Sequence, residues 1–202
     1  MKTKQIEVYS FAELDDDAKE KAIQWFREGN FNYEWWDHVY EDAKEIGKLM
    51  GIEIDKIYFS GFSSQGDGAC FEGSYSYEKG SVKAVKAYAP KDEELRRIAL
   101  ELSKVQRKRF YGLTARVRQS GHYVHEMCTD INVYGDFDLG ERYYTAWIGD
   151  DIEETIKELL RDFMRWIYKS LETEYNWMNA DEQIIESIEC NEYEFNEDGS
   201  LA

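Results

Sequence analysis

Residues 52–77 have the sequence IEIDKIYFSGFSSQGDGACFEGSYSY, which contains two β-prone halves around a glycine-rich segment. Ile52 and Ile54 alternate with acidic residues in its first half. Aromatic residues occupy alternate positions in its second half: Phe71, Tyr75 and Tyr77. Such alternation is typical of strands with one buried face, and the serine, aspartate and glycine residues of 63–68 favour a turn. The stretch therefore predicts a β-hairpin with a glycine-rich tip.

A second hairpin is predicted farther along the chain. Residues 112–119 and 124–134 are β-prone, and Ser120-Gly121-His122 would form the tip between them;. Residues 143–147 are compatible with an edge strand, and residues 6–9 with a short strand near the N-terminus;. These patterns predict a mostly antiparallel sheet of four or five strands built from two hairpins.

Helices are predicted on both sides of each hairpin. Apolar residues recur at helical spacing in six stretches, namely 18–28, 35–50, 82–88, 93–109, 152–171 and 181–192;. Ser10 and Glu13 have the spacing of a capping box ahead of the first helix;. No repeat or linker divides the chain. We therefore expect an α+β fold in a single domain, 1–202, with the helices packed on the sheet.

The composition indicates a folded and strongly acidic protein. The chain has 202 residues, with 42 acidic and 25 basic ones, so that its formal net charge is −17. Aromatic residues make up 15% of it, and that much ring surface needs a folded core to bury it;. A charge of −17 repels a polyanion, which argues against direct binding of nucleic acid. No stretch is long and apolar enough for a transmembrane helix, so no membrane association is expected.

The negative charge is concentrated in the last third of the chain. Residues 1–50 carry −5, residues 51–140 carry 0 and residues 141–202 carry −12. Regularly spaced carboxylates can imitate duplex phosphates toward a basic protein. Such an array is predicted on the acidic helices that begin near Ile152 and Asp181, and its candidate partner-binding residues are Glu182, Glu186, Glu189, Glu192, Glu194, Glu197 and Asp198.

The two hairpin tips form a competing candidate site. If the hairpins lie side by side, their tips would bring together Gln65, Gly66, Asp67, Gly68, Ser120 and His122. Glycines let backbone N–H groups approach a ligand, and Asp67 or His122 could act as acid or base. The plainer interpretation of residues 63–69 is a tight turn that uses glycine for its backbone conformation.

The sequence contains little evidence for catalytic motifs, disulfide bonds or metal sites of other kinds. It has no Gly-x-Ser-x-Gly, His-Glu-x-x-His or Gly-x-Gly-x-x-Gly motif;. Cys70, Cys128 and Cys190 are too few and too widely spaced for a disulfide framework, and they indicate free thiols in a reducing compartment;. His122, His125 and Cys128 are of zinc-binding type but lack suitable spacing and a fourth ligand. We expect neither a metal nor another cofactor.

Several segments resemble a family of phage and prophage proteins commonly labelled "antitoxin of toxin–antitoxin stability system". They are YEWWD at 33–37, IGKLMGI at 46–52, IYFSGFSSQGDGACFEG at 57–73, YGLTA at 111–115 and SGHY at 120–123. The resemblance spans nearly the whole chain. It implies a phage or mobile-element origin, a bacterial cytoplasmic setting and a protein that neutralises another protein.

The sequence thus supports two hypotheses from different classes, beside the plainer alternative of a phage accessory protein whose partner is another phage protein. The first is an acidic interaction protein without catalysis of its own, which binds and blocks a basic toxin, host or defence protein. The second is a small enzyme or ligand-binding protein with its site at the hairpin tips, where Asp67 or His122 would be acid or base and Gln65 an orienting group. The oligomeric state and the identity of the partner are left open.

Overall fold

The computed structural model describes residues 7–29, 34–138, 143–145 and 149–202, with the backbone alone at 136–138 and 143–145. The helices, in chain order, are α1 (Asp16–Gly29), α2 (Asp37–Met50), α3 (Ser81–Tyr88), α4 (Glu93–Lys108), α5 (Asp150–Met178) and α6 (Asp181–Cys190). The strands are β1 (Tyr9–Ser10), β2 (Ile52–Ser60), β3 (Gly68–Tyr75), β4 (Leu113–Gln119), β5 (Thr129–Asp138), β6 (Tyr143–Thr145) and β7 (Glu194–Phe195). The α+β prediction is confirmed.

The chain forms two compact units. The first, called the terminal unit here, comprises Met1–Trp36 and Thr173–Ala202, and the second, called the central unit, comprises Asp37–Glu172. Helix α5 contributes residues to both. That the two units unfold together, as the one domain expected from the sequence, stays a prediction.

The central unit contains the predicted sheet. Its strand order is β2-β3-β4-β5-β6, and every neighbouring pair is antiparallel. Both predicted hairpins are present, as β2–β3 and β4–β5. β6 pairs only with the end of β5, so four strands form the main sheet.

One face of this sheet carries the apolar core. Buried side chains alternate along β4 at Leu113, Ala115 and Val117, whereas Arg116 and Arg118, at the intervening and following positions, are exposed. Phe71 of β3 packs edge-on against Phe163 of α5, with ring centroids 6.1 Å apart. Apolar side chains of the four helices in this unit complete the core: Val39, Ile46, Val85, Leu95, Ile98, Leu102, Ile156, Leu160 and Ile167.

The second hairpin differs from its prediction in one respect. Its outer strand begins at Thr129 rather than at residue 124. Residues 120–128 form a loop instead, closed by a hydrogen bond of 2.8 Å from the Ser120 N–H to the Cys128 carbonyl. His125 and Cys128 therefore lie in a loop and not on a strand.

The terminal unit is small and has its own core. β1 pairs antiparallel with β7, with Tyr9 opposite Phe195. The core below this pair consists of Phe11, Leu14, Ala18, Ala22, Ile184, Ile188 and Phe195. The predicted capping box is present, because Glu13 Oε2 accepts hydrogen bonds from both the N–H and the hydroxyl of Ser10, each at 2.8 Å. It caps a 3-10 turn, Phe11–Glu13, and Asp15 caps the start of α1.

In the parts of the chain that the structure covers, no helix has the length and apolar character needed to cross a bilayer.

Candidate functional site

The terminal unit holds most of the net negative charge. It contains 17 of the 42 acidic residues and only five of the 25 basic ones, which gives a formal charge of −12 for 66 residues. Six exposed carboxylates of this unit form what we call the acidic array: Glu182, Glu186, Glu189, Glu192, Glu194 and Glu197. Glu182, Glu186 and Glu189 are spaced at four and three residues along α6 and so share one face of it.

The acidic array has no internal counter-charge among the described residues. Lys21 of this unit pairs with Asp198 at 2.6 Å, and Arg27 pairs with Asp181 at 2.5 Å. No salt bridge joins a member of the array to any described cation. Like charges at this spacing on a helix repel one another, so the arrangement costs stability unless something outside the chain compensates it.

Asp198 differs from the other candidate partner-binding residues. Its carboxylate accepts hydrogen bonds from Lys21 Nζ, at 2.6 Å, and from the hydroxyl and N–H of Ser200, at 2.6 and 3.0 Å. The Lys21 and Ser200 hydrogen bonds hold the pKa of Asp198 well below its usual range. Asp198 therefore shapes the C-terminal turn and is less available to a partner.

An open pocket of about 440 Å³ adjoins the array. Four carboxylates line it, from Glu13, Glu189, Glu192 and Glu194, together with the apolar side chains of Val8, Phe11, Ile188 and Tyr193. Tyr9 also lines the pocket, and the negative charges of Glu7 and Glu197 near it raise the pKa of its hydroxyl. A side chain with an apolar stem and a positively charged end would suit such a pocket.

Sequence reasoning missed the contribution of the N-terminal segment to this pocket. Val8, Phe11 and Glu13 line the pocket with residues of α6 because β1 pairs with β7 and because Phe11 packs in the same core as Ile188. The only sequence pattern that includes Glu13 is the capping box, and that pattern accounts for the residue without a binding site.

Acidic residues of α5 in the central unit behave differently from the array. Asp162 and Glu158 both contact Arg165, and Asp162 also contacts Arg97. Lys157 pairs with Glu153 at 2.6 Å. These carboxylates of α5 are therefore compensated within the fold, whereas Glu182, Glu186 and Glu189 of α6 have no described cation as a partner.

The glycine-rich tip of the first hairpin is organised by Asp67. The carboxylate oxygen Oδ2 accepts hydrogen bonds from the N–H groups of Ser63 and Ser64, at 2.9 and 2.7 Å. An aspartate that closes its own loop in this way is a structural element, which agrees with the plainer interpretation of this segment. Gly66 has φ +94°, a conformation that favours glycine;.

The two hairpin loops do lie against each other. Ser60 Oγ donates a hydrogen bond of 3.4 Å to the Val124 carbonyl. Gly68 lies so close to His125 that an added Cβ would be 2.9 Å from its ring, and a Cβ on Gly66 would be 3.7 Å from the Tyr123 ring.

The candidate catalytic residues of the second hypothesis, Asp67 and His122, lie in these loops without direct contact in the described structure. Asp67 and His122 are joined by no hydrogen bond among the described contacts, and His122 is exposed beside the Tyr123 ring. Gln65 and Gly66 are exposed, Gly68 is buried, and Ser120 uses its N–H to close the loop. Among the described residues, no group of three or more His, Cys, Asp or Glu is placed to hold a metal ion. The tip site stays a prediction.

Comparison with known proteins gives a family. No curated protein and no solved structure matches the chain. A family model covers residues 35–181, which include the central unit with both hairpins and end just before the acidic array. Because this match spans well over half of the chain, the protein belongs to the family described as Domain of unknown function (DUF8835).

Proposed function

We propose that this protein is an acidic interaction protein, which binds a basic surface of another protein and blocks it. The observation that carries the proposal is the acidic array, whose six exposed carboxylates have no counter-charge among the described residues. Uncompensated like charges on one small unit are costly to a fold and useful to a binding surface. The partner we propose is a toxin, or a host or defence protein that binds nucleic acid, and the array imitates the phosphates.

Charge and shape would act together at this surface. The net charge of −12 attracts a basic partner from a distance and raises the association rate, an effect that salt weakens. The adjoining pocket, with Val8, Phe11 and Ile188 among its lining residues, would take an apolar side chain once the surfaces touch;. Long-range attraction followed by a buried anchor is how many charged interfaces gain both rate and affinity.

The setting that we propose follows from the resemblance to phage antitoxin-like proteins. A phage or mobile-element protein that acts in the bacterial cytoplasm would meet many basic nucleic-acid-binding proteins there. Neutralising one of them needs binding alone and no catalytic group, so the proposal requires no cofactor.

The test is an affinity capture with the full chain as bait. Immobilised protein is exposed to bacterial lysate at low and at high salt, and the captured proteins are identified by mass spectrometry. The array variant carries Glu186→Lys, Glu189→Lys and Glu192→Lys. The matched control carries Glu41→Lys, Glu53→Lys and Glu78→Lys, which makes the same change in net charge at exposed positions of the central unit.

We expect the wild type and the control to recover a basic protein at low salt and to lose it at high salt. The array variant should recover little of it at either salt concentration. Capture that ignores salt, or an equal loss in both variants, would show that the array is not the binding surface.

A further inference from the structure

The central unit contains a polar pocket of about 400 Å³ that neither the proposed function nor the hairpin-tip hypothesis uses. Its lining comprises the first four residues of β5 and two cations of α5: Thr129, Asp130, Ile131, Asn132, Lys157 and Arg161. Lys157 and Arg161 are four residues apart and so lie on one side of the helix. The pocket, which we call the Arg161 pocket, therefore has two cations and one carboxylate, Asp130, in its lining, and Lys157 also pairs with Glu153 at 2.6 Å.

Arg161 is the most buried of three arginines in this region and the most weakly paired. Its side chain is 15% exposed, against 44% for Arg97 and 40% for Arg165. Arg97 makes short hydrogen bonds to Glu94 at 2.6 and 3.0 Å, and Arg165 makes short contacts to Glu158 and Asp162. A buried charge normally needs closer hydrogen-bond partners than an exposed one. Among these three arginines the reverse holds, because the most buried one has the most distant partners.

The partners of Arg161 are distant and committed elsewhere. Its Nη1 lies 3.5 Å from Glu154 Oε1 and 3.5 Å from Glu158 Oε2, at the limit of a hydrogen bond;. Glu158 already contacts Arg165 through its other oxygen, and the Glu154 carboxylate is largely exposed. The Nε of Arg161 is buried and has no acceptor at all, the one such buried side-chain atom among the described residues.

The strand side of the pocket can also contribute hydrogen bonds. β5 pairs with β4 along residues 129–135 but with β6 only along 136–138. The other edge of residues 129–132 thus has no strand partner within the described residues, and its backbone groups can bond a ligand. The exposed side chains of Asp130 and Asn132 add an acceptor and an amide;.

We propose that the Arg161 pocket binds a small organic oxyanion, that is, a molecule with a carboxylate or phosphate group. Two parallel N–H groups of a guanidinium match two oxygens of such a group, and the Lys157 ammonium adds a second positive charge. The bound oxygens accept hydrogen bonds from the Arg161 guanidinium, whose described partners lie as far away as 3.5 Å. A hydroxyl or amine elsewhere on the ligand reaches Asp130.

The experiment is a titration of the ¹⁵N-labelled full chain with inorganic phosphate and, separately, with acetate, followed by NMR. Sodium chloride at matched ionic strength is the reference. The signals are the Arg161 Nε–H resonance, assigned by its loss in Arg161→Lys, and the backbone amides of residues 129–132. We expect saturable shifts with a dissociation constant of about 1 mM, as suits such small probes.

Two lysine variants make the result specific. Lys157→Gln removes a cation of the pocket and should weaken phosphate binding about tenfold, the effect of one lost charge-assisted hydrogen bond. Lys48→Gln removes a lysine that is likewise paired to a glutamate on its own helix but does not line the pocket, and it should leave binding unchanged. Neither variant touches a buried side chain, and the backbone amides report binding even if Arg161→Lys does not fold.

Saturation by phosphate alone, by acetate alone or by both would support the site and identify the anionic group of its ligand. Shifts that stay linear and equal those with chloride would overturn the proposal and show that solvent satisfies Arg161. An affinity that Lys157→Gln leaves unchanged would overturn it as well. None of these outcomes depends on the acidic array.

Discussion

At the scale of residues, the three cysteines differ because their exposure differs. Cys70 is buried in β3, Cys128 is half-buried and Cys190 is exposed at the end of α6. Burial raises the pKa of the Cys70 thiol to about 11, although a hydrogen bond from the His125 backbone lowers it in part. The thiolate is the reactive form, so a thiol with a raised pKa is slow to react.

We expect alkylation by iodoacetamide to distinguish Cys70 from Cys190. At pH 8 about one in a thousand Cys70 side chains is ionised, and its site in β3 excludes the reagent as well. Peptide mass spectrometry after brief labelling should show Cys190 modified and Cys70 unmodified. The labelling of Cys70 should increase as the pH rises toward 11 or when urea unfolds the chain.

Cys190→Ser provides the control, because it should leave the labelling rate of Cys70 unchanged. If Cys70 in the folded protein reacted as fast as Cys190, its burial in β3 would be contradicted.

At the scale of elements, Gly73 shows why β2 and β3 approach so closely. Gly73 of β3 lies opposite Ile54, where the register of β2 shifts at a bulge. A Cβ on Gly73 would lie 1.9 Å from the Glu53 carbonyl oxygen, which is backbone and cannot move aside cheaply. Only a glycine fits this position without separating the strands.

Gly73→Ala should therefore lower the free energy of unfolding by about 3 kcal/mol, as overpacking of this severity does. Urea denaturation followed by circular dichroism measures the change. Gly29→Ala is the control, because a Cβ there meets nothing within 4 Å. It should change stability by less than about 1 kcal/mol. Equal effects of the two variants would contradict the described register.

The sequence predicted the helices and hairpins because their periods differ. The alternation of Phe71 and Tyr75 and the helical spacing around Leu160 each leave a clear pattern;. The start of β5 was predicted wrongly, because Val124 and its neighbours are β-prone. In the structure, His125 Nδ1 accepts a hydrogen bond from the Met127 N–H, and the Thr129 hydroxyl donates one to the Glu126 carbonyl. Such local bonds compete with a strand ladder and favour the loop.

The candidate sites were less accessible to sequence reasoning than the fold. The exposed carboxylates of α6 are evident from their spacing, but the pocket beside them depends on the pairing of β1 with β7, and two-residue strands leave no pattern. The Arg161 pocket likewise leaves no pattern in the sequence. An arginine with a close salt bridge and an arginine with distant partners cannot be distinguished from the sequence alone.

At the scale of the whole molecule, the negative charge follows the units rather than the thirds of the chain. Residues 141–202 carry −12 in sequence, but the arginines of α4 and α5 compensate several of those carboxylates within the central unit. The terminal unit combines the acidic array with the acidic residues of α1, such as Asp16 and Glu20. Self-repulsion should therefore limit the stability of that unit most.

We expect added sodium chloride to raise the thermal midpoint, by about 3 °C between low and physiological ionic strength. Screening relieves repulsion within the terminal unit more than it weakens the ion pairs of α5, which are partly buried. Differential scanning calorimetry measures the midpoint and counts the transitions. A single transition would agree with the one-domain prediction.

The same scans on a Glu186→Lys, Glu189→Lys variant provide the control, since removing the repulsion should remove most of the salt response. A midpoint that falls as salt rises would mean that ion pairs, and not repulsion, dominate the electrostatic free energy.

The order of the strands also bears on how fast the chain folds. The β2–β3 hairpin closes between Ser60 and Gly68, whereas the β3–β4 pair closes between Tyr75 and Ala115, with α3 and α4 in between. The entropy of closing the longer loop adds about 1.4 kcal/mol to the cost of that contact. The two hairpins are thus local contacts, and we expect their joining along β3 and β4 to be the slower step in the folding of the sheet.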